Sequence, residues 1–125
     1  VLFYFQASFL RRFSLLSLVK LGVILTAFRW FLLFAFPSSL LISYASQSLH
    51  AFSFALHHTA ALSLLYTFYT HKKLAAQFYY GISFGLGGFV GAFVAGYFYG
   101  PYLYLYASVI AFCSFISLRY LEVRE

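Results

Sequence analysis

The 125-residue chain is 64% hydrophobic, 25% aromatic and only 8% charged, whereas a soluble domain carries about a quarter charged residues. This composition excludes a soluble globule and indicates an all-α integral membrane protein whose first partner is the lipid bilayer. The net charge of +6 comes from short basic clusters beside apolar stretches, as at the cytoplasmic face of a membrane, so nucleic acid is not an expected partner.

Five apolar stretches follow one another along the chain. Residues 1–10 are too short to cross a bilayer core, which needs about 20 helical residues, and the chain contains no methionine. We therefore expect a fragment that lacks its natural start and opens with half a span. Four complete spans are predicted after it, in chain order over residues 15–36, 40–65, 74–98 and 102–118.

Basic residues mark one end of each predicted span. Arg11, Arg12, Lys72, Lys73 and Arg119 fall at this end, whereas the opposite turns, at Pro37–Ser39 and Gly100–Pro101, carry no charge. Cytoplasmic loops are enriched in lysine and arginine. We therefore expect the protein to lie in the cytoplasmic (inner) membrane with its C-terminus in the cytoplasm.

Arg29 is a charged residue inside the first complete span, and no acidic residue lies in any predicted span. If its side chain faces a helix bundle, its partner is a backbone carbonyl, a substrate anion or an acid elsewhere in the protein. If it faces lipid, the long side chain extends toward the membrane surface. Arg29 thus has two interpretations, a structural role, which we favour, and a place in the solute or proton pathway, for which it stays a candidate.

The second complete span carries three histidines. His50 and His57 are seven residues apart, close to two helical turns, so they share a face with Phe54 between them and Gln47 one turn earlier. His58 points to a neighbouring flank. Ionisable side chains at membrane depth often mark a substrate or proton pathway, which makes Gln47, His50, Phe54 and His57 candidates. The alternative is a hydrogen bond between helices.

Neither metal binding nor catalysis is predicted. Seven residues rise about 10.5 Å along a helix, too far for one ion to bind both His50 and His57 at the usual ~2 Å. No carboxylate pair or nucleophile beside a base occurs in the spans. We therefore expect neither a cofactor nor an enzyme activity.

The third complete span is rich in small residues that fall along two stripes. Small residues allow close approach of helices in lipid, which predicts a helix packed between neighbours. A phosphate-binding glycine loop is excluded because these glycines lie inside an apolar span. The residues assigned to packing are Gly81, Gly85, Gly87, Gly88, Gly91, Ala92, Ala95 and Gly96.

The order of these features resembles the C-terminal third of a major facilitator superfamily transporter. The similarity rests on Phe28–Trp30, Gln47–Phe54 and Ser83–Gly88, and its nearest branch is the phenylpropionate-permease-like group, related to nucleoside–proton symporters. The resemblance implies that residues 1–10 end the eighth helix and that helices nine to twelve follow. It also implies that the tenth helix, with His50, Phe54 and His57, lines the central cavity.

The resulting hypothesis is proton-coupled transport of a small organic solute by an intact parent protein. Its partners are that solute and the missing N-terminal transmembrane helices of the same protein. The alternative is a small stand-alone four-span membrane protein that acts as a scaffold or as the partner of a lipid carrier.

Overall fold

The structure, a computed structural model, describes Ser8 and residues 12–123. This part of the chain folds into four helices: α1 (Leu15–Ala35), α2 (Leu40–Phe68), α3 (Lys72–Tyr97) and α4 (Leu103–Val123). The all-α membrane fold predicted from composition is confirmed. The half-span predicted for residues 1–10 lies outside the described residues, apart from Ser8.

Three of these helices are long and apolar enough to cross a membrane: α1, α3 and the Leu103–Tyr120 part of α4. The longest helix, α2, has 29 residues, but Gln47 and its three histidines make it more polar than the other three. A polar helix in a membrane protein is stable where its polar face meets protein or water instead of lipid.

Short side chains define the start of the first two helices. The hydroxyl of Ser14 accepts a hydrogen bond from the Ser17 N–H, and the hydroxyl of Ser39 accepts one from the Ile42 N–H. These caps satisfy N–H groups that have no partner within the helix. The turn between α1 and α2 contains Pro37, and its short length makes the two helices antiparallel.

The buried core lies between α1 and α2. Leu18 and Val19 of α1 pack with Leu56 and Ala60 of α2, and each of these side chains is at most 6% exposed. Leu118 of α4 covers this cluster from one side. The three helices therefore form one packed unit, and among the described elements α3 contacts this unit mainly through α2.

A hydrogen bond and a pair of stacked rings join α1 to α4. The Ser108 hydroxyl donates to the carbonyl oxygen of Ala27 at 2.8 Å. One turn further along α1, the Trp30 ring stacks on Tyr104, with ring centroids 5.5 Å apart. These contacts hold α4 against the face of α1 that is not occupied by α2.

We expect Ser108→Ala to destabilise the α1–α4 contact by about 0.5–1.5 kcal/mol, the usual range for a hydrogen bond between membrane helices. The thermal unfolding midpoint of the purified protein in detergent measures this loss. Ser114→Ala is the matched control, because the Ser114 hydroxyl donates to Ile110 of its own helix. Equal midpoints for the two variants would contradict a stabilising role for the Ser108 bond.

Candidate functional site

Gly22 sets the register between α1 and α2. A Cβ atom at this position would lie 2.7 Å from the Cβ of His57 and 3.3 Å from the carbonyl oxygen of Ser53. Only glycine allows this approach, because the neighbouring atoms belong to the α2 backbone and the base of a side chain. Gly22 of α1 therefore lies directly opposite Ser53 and His57 of α2.

The same register brings three polar residues to one level of the interface. Arg29 follows Gly22 by seven residues, and Ser46 and His50 precede Ser53 and His57 by seven. Seven residues are close to two helical turns, so in an antiparallel pair these residues again face each other.

Arg29 is buried and incompletely paired. Its side chain is 4% exposed, and its guanidinium carbon lies 4.0 Å from the centre of the Trp30 ring. Its Nε has no hydrogen-bond partner among the described residues. A cation over an indole face is stabilised electrostatically, but this contact leaves the N–H donor free. Arg29 thus faces the helix bundle and not lipid.

Ser46 is a second buried polar group at this level. The residue is 0% exposed, and its hydroxyl has no partner within the described part of the chain. A buried donor or acceptor without a partner is destabilising by about 1–3 kcal/mol. Two buried polar groups that lack described partners therefore lie at one level of the interface.

The face of α2 beside this level is polar and open. Gln47 and His50 are exposed, and the His50 ring lies 5.8 Å from the ring of Phe54, which is itself 46% exposed. By contrast, the large exposed side chains of α3 from Phe78 to Tyr97 are apolar or aromatic. Of the five candidates identified from sequence, His50 and Phe54 are in ring contact and Gln47 is exposed one turn before His50. The register of the two helices places Arg29 of α1 at the level of His50.

His57 does not share this open face. Its Nδ1–H donates to the carbonyl oxygen of Val19 at 3.4 Å, and the ring is partly buried against α1. This contact is the interhelical hydrogen bond given above as the alternative role. The difference arises because α1 packs at Gly22 directly against the base of this side chain, which directs the ring along α1.

His58 occupies the position expected for His57. Its ring stacks on Phe54, with centroids 5.8 Å apart and planes within 4°. Tyr80 of α3 forms a 3.4 Å hydrogen bond with His58 Nε2, and His58 Nδ1 is buried without a described partner. The sequence predicted His58 on the flank of α2 beside the face that carries His50 and Phe54. Because α3 packs against that flank, His58 becomes part of the site.

The small residues of α3 lie in open space. Nothing lies within 4 Å of a Cβ added at Gly81, Gly85, Gly88, Gly91 or Gly96, and Ala92 is exposed. The neighbours predicted to pack on both sides of this helix are therefore not among the described residues. Helix packing through these positions stays a prediction about a partner surface.

Among the described residues, no three histidine, cysteine or acidic side chains lie close enough together to hold a metal ion. His57 and His58 bond to different helices, α1 and α3. The open face of α2 offers an exposed imidazole and an exposed amide for hydrogen bonding. The interface beside it holds a buried guanidinium and a buried hydroxyl.

Comparison with known proteins gives one match. The model of the family described as the MFS_1 like family matches residues 1–118. No curated protein and no solved structure matches the chain. The matched range includes α1, α2, α3 and every residue of the open polar face.

Proposed function

We propose that this chain, which belongs to the MFS_1 like family, forms part of a secondary transporter for a small organic solute. Family membership places the chain among integral membrane transport proteins and not among enzymes. We further propose that transport is coupled to protons. We also propose that the solute path is lined by the level of the α1–α2 interface that contains Arg29, Ser46 and His50. The buried, incompletely paired Arg29 opposite Ser46 and His50 carries this proposal.

The donors at this level favour a solute with an anionic or strongly hydrogen-bonding group. The guanidinium carries fixed charge and directed N–H donors, and the Ser46 hydroxyl adds a donor or acceptor within the same interface. A bound acceptor oxygen would satisfy both groups. Gln47 and His50, exposed on the adjoining face of α2, would contact the rest of the solute, and a histidine is suited to carry a coupled proton.

The setting of the site is also proposed. We place the chain in a cytoplasmic membrane, where α1–α4 act as helices nine to twelve beside further transmembrane helices of the same protein. The basic residues at one end of the helices support a cytoplasmic C-terminus. The phenylpropionate-permease-like branch stays a hypothesis on substrate class, supported by the residues of α1, α2 and α3 quoted above.

An uptake screen tests the transport proposal. Cells that express the full-length gene product are compared with empty cells for accumulation of radiolabelled aromatic acids, nucleosides and sugars, with and without a protonophore. We expect accumulation of at least one solute that collapses when the proton gradient is removed. Identical accumulation in both cell types for every solute would contradict transport, and uptake that resists the protonophore would contradict proton coupling.

His50→Ala is expected to lower uptake about tenfold or more without affecting membrane insertion, because a hydrogen bond to a charged group contributes about 1.5–3 kcal/mol. Uptake against pH and the amount of protein in washed membranes are measured together. His71→Ala is the control, since His71 lies in the connection before α3. Normal uptake with normal pH dependence in the His50 variant would reject a role for its ring.

A further inference from the structure

The middle of α3 departs from α-helical geometry. Residues Gly81–Leu86 form a π-helical segment, in which hydrogen bonds close over five residues instead of four. The N–H of Gly87 accordingly donates to the carbonyl oxygen of Ile82. Such segments are rare and occur mostly at functional sites. Nothing in the proposed transport function yet uses this one.

The π segment lies beside a cluster of five aromatic rings that joins α3 to α2. On α2 the rings belong to Phe54 and His58, which stack on each other. On α3 three rings surround His58 at centroid distances of 5.5–5.8 Å, and they are those of Tyr79, Tyr80 and Phe84. We call these five residues the aromatic cluster.

The π geometry is what assembles the α3 side of the aromatic cluster. Tyr79 and Phe84 are five residues apart, which in an α-helix separates them by about 140° around the axis. Across the π segment their ring centroids are only 6.4 Å apart, and both face His58. If the segment became α-helical without loss of a residue, Phe84 would rotate away from His58 and Phe54.

The local sequence makes such a conversion inexpensive. Gly81 and Gly85 lie within the segment and Gly87 and Gly88 follow it, and glycine favours the α-helix less than alanine by about 1 kcal/mol per residue. Described atoms leave open space at Gly81, Gly85 and Gly88, and Phe84 is 48% exposed. Neither intrinsic propensity nor packing within the described chain therefore holds the segment strongly in one form.

We infer that Gly81–Leu86 is a register switch whose conversion between π and α geometry makes and breaks the contact of Phe84 with Phe54 and His58. The inference rests on the proposed transport function, because α2 carries the residues of the solute path. The switch changes the wall of that path beside Phe54 without unfolding α3. It gives the glycines of this helix a second role besides packing.

A crosslinking experiment tests the switch independently of transport. Cysteines replace Phe54 and Phe84 in a full-length gene product from which Cys113 and every other native cysteine has been removed, and a short bifunctional methanethiosulfonate reagent joins them. Gly87→Ala is added because its Cβ would lie 3.2 Å from the Ile82 carbonyl oxygen, which disfavours the π form. The control is Gly88→Ala, which meets nothing within 4 Å.

The crosslinked fraction is expected to fall about fivefold with Gly87→Ala, the ratio that ~1 kcal/mol produces, and to stay unchanged with Gly88→Ala. Equal crosslinking in the two variants would overturn the inference, whatever the uptake results. If no solute is taken up by the unmodified protein, the transport proposal fails while this comparison still decides whether the segment converts.

Deletion of Ser83 gives a second, opposite test. Removing one residue from the π segment leaves a regular α-helix in which Phe84 follows Tyr79 by four residues, so the contact with α2 is kept but the switch is lost. We expect crosslinking to persist and uptake to be abolished, with Ser83→Ala as the control that retains uptake. Normal uptake after the deletion would show that the π segment is static.

Discussion

Arg29→Met is expected to reduce solute uptake by about 10- to 100-fold while the protein still inserts and folds. Arg29 is 4% exposed and its Nε lacks a partner among the described residues, so the solute is its expected partner. Charge-assisted hydrogen bonds contribute about 1.5–3 kcal/mol, and each 1.4 kcal/mol is tenfold in affinity. Methionine keeps an unbranched apolar side chain beside Trp30 and removes the guanidinium group with its charge and its donors.

Arg29→Lys separates charge from geometry. Lysine keeps the positive charge but lacks the planar fork of donors, so we expect uptake between that of the parent protein and that of Arg29→Met. Arg119→Met is the control, because Arg119 is an exposed arginine near the end of α4. Uptake in Arg29→Met that equals the parent's, with equal protein in the membrane, would assign Arg29 a structural role only.

Gly22→Ala is expected to destabilise the protein by about 1–3 kcal/mol, the usual range for overpacking a tight contact. The added Cβ would lie 2.7 Å from the His57 Cβ and 3.2 Å from its Cα, atoms that cannot move without moving α2. The thermal unfolding midpoint in detergent measures the loss. Uptake is expected to fall as well, since the register at Gly22 aligns Arg29 with Ser46 and His50.

Gly100→Ala is the control for this variant. It makes the same chemical change in the turn before α4, where the nearest described atom to the added Cβ is the Phe98 carbonyl oxygen at 4.0 Å. We expect an unchanged midpoint. A midpoint for Gly22→Ala as high as that of Gly100→Ala would mean that α1 and α2 are not in close contact at Gly22.

Composition and simple spacing were enough to predict the membrane class and the helices. Apolar stretches broken by Pro37, the basic residues 72–73 and Gly100–Pro101 were interpreted as four helices, and the structure has four in the described chain. The helix ends differ modestly: α2 continues to Phe68 and α4 to Val123, because a helix does not have to end where its apolar stretch does.

The arrangement of the site was only partly predictable. Helical spacing grouped Gln47, His50 and Phe54, but it could not show which flank of α2 each neighbouring helix covers. His57 therefore turned out to bond to α1 and His58 to join Phe54. Gly22 was missed. The sequence does show a glycine seven residues before Arg29 in an apolar helix. Its role in setting the register, however, depends on the contact with α2, which the sequence of α1 does not reveal.

The π segment was not predictable from local preferences. Its glycines were interpreted as packing residues because small residues in a membrane span most often serve that purpose. In the π geometry Phe84 and Tyr79 contact rings of another helix, and no pattern within α3 reveals that neighbour. The packing role of Gly91 and Gly96 stays a prediction, since both face open space in the described chain.

Cysteine accessibility tests most directly whether the open face of α2 lines a solute path. In a full-length gene product from which Cys113 and every other native cysteine has been removed, single cysteines replace Gln47, His50 or Phe54. Phe89 and Phe93 of α3 are the apolar exposed control positions. We predict that a membrane-impermeant thiol reagent labels the three α2 positions, that the transported solute protects them, and that the two α3 positions stay unlabelled. Labelling of α3 but not of α2, or labelling of α2 that no transported solute reduces, would contradict this account.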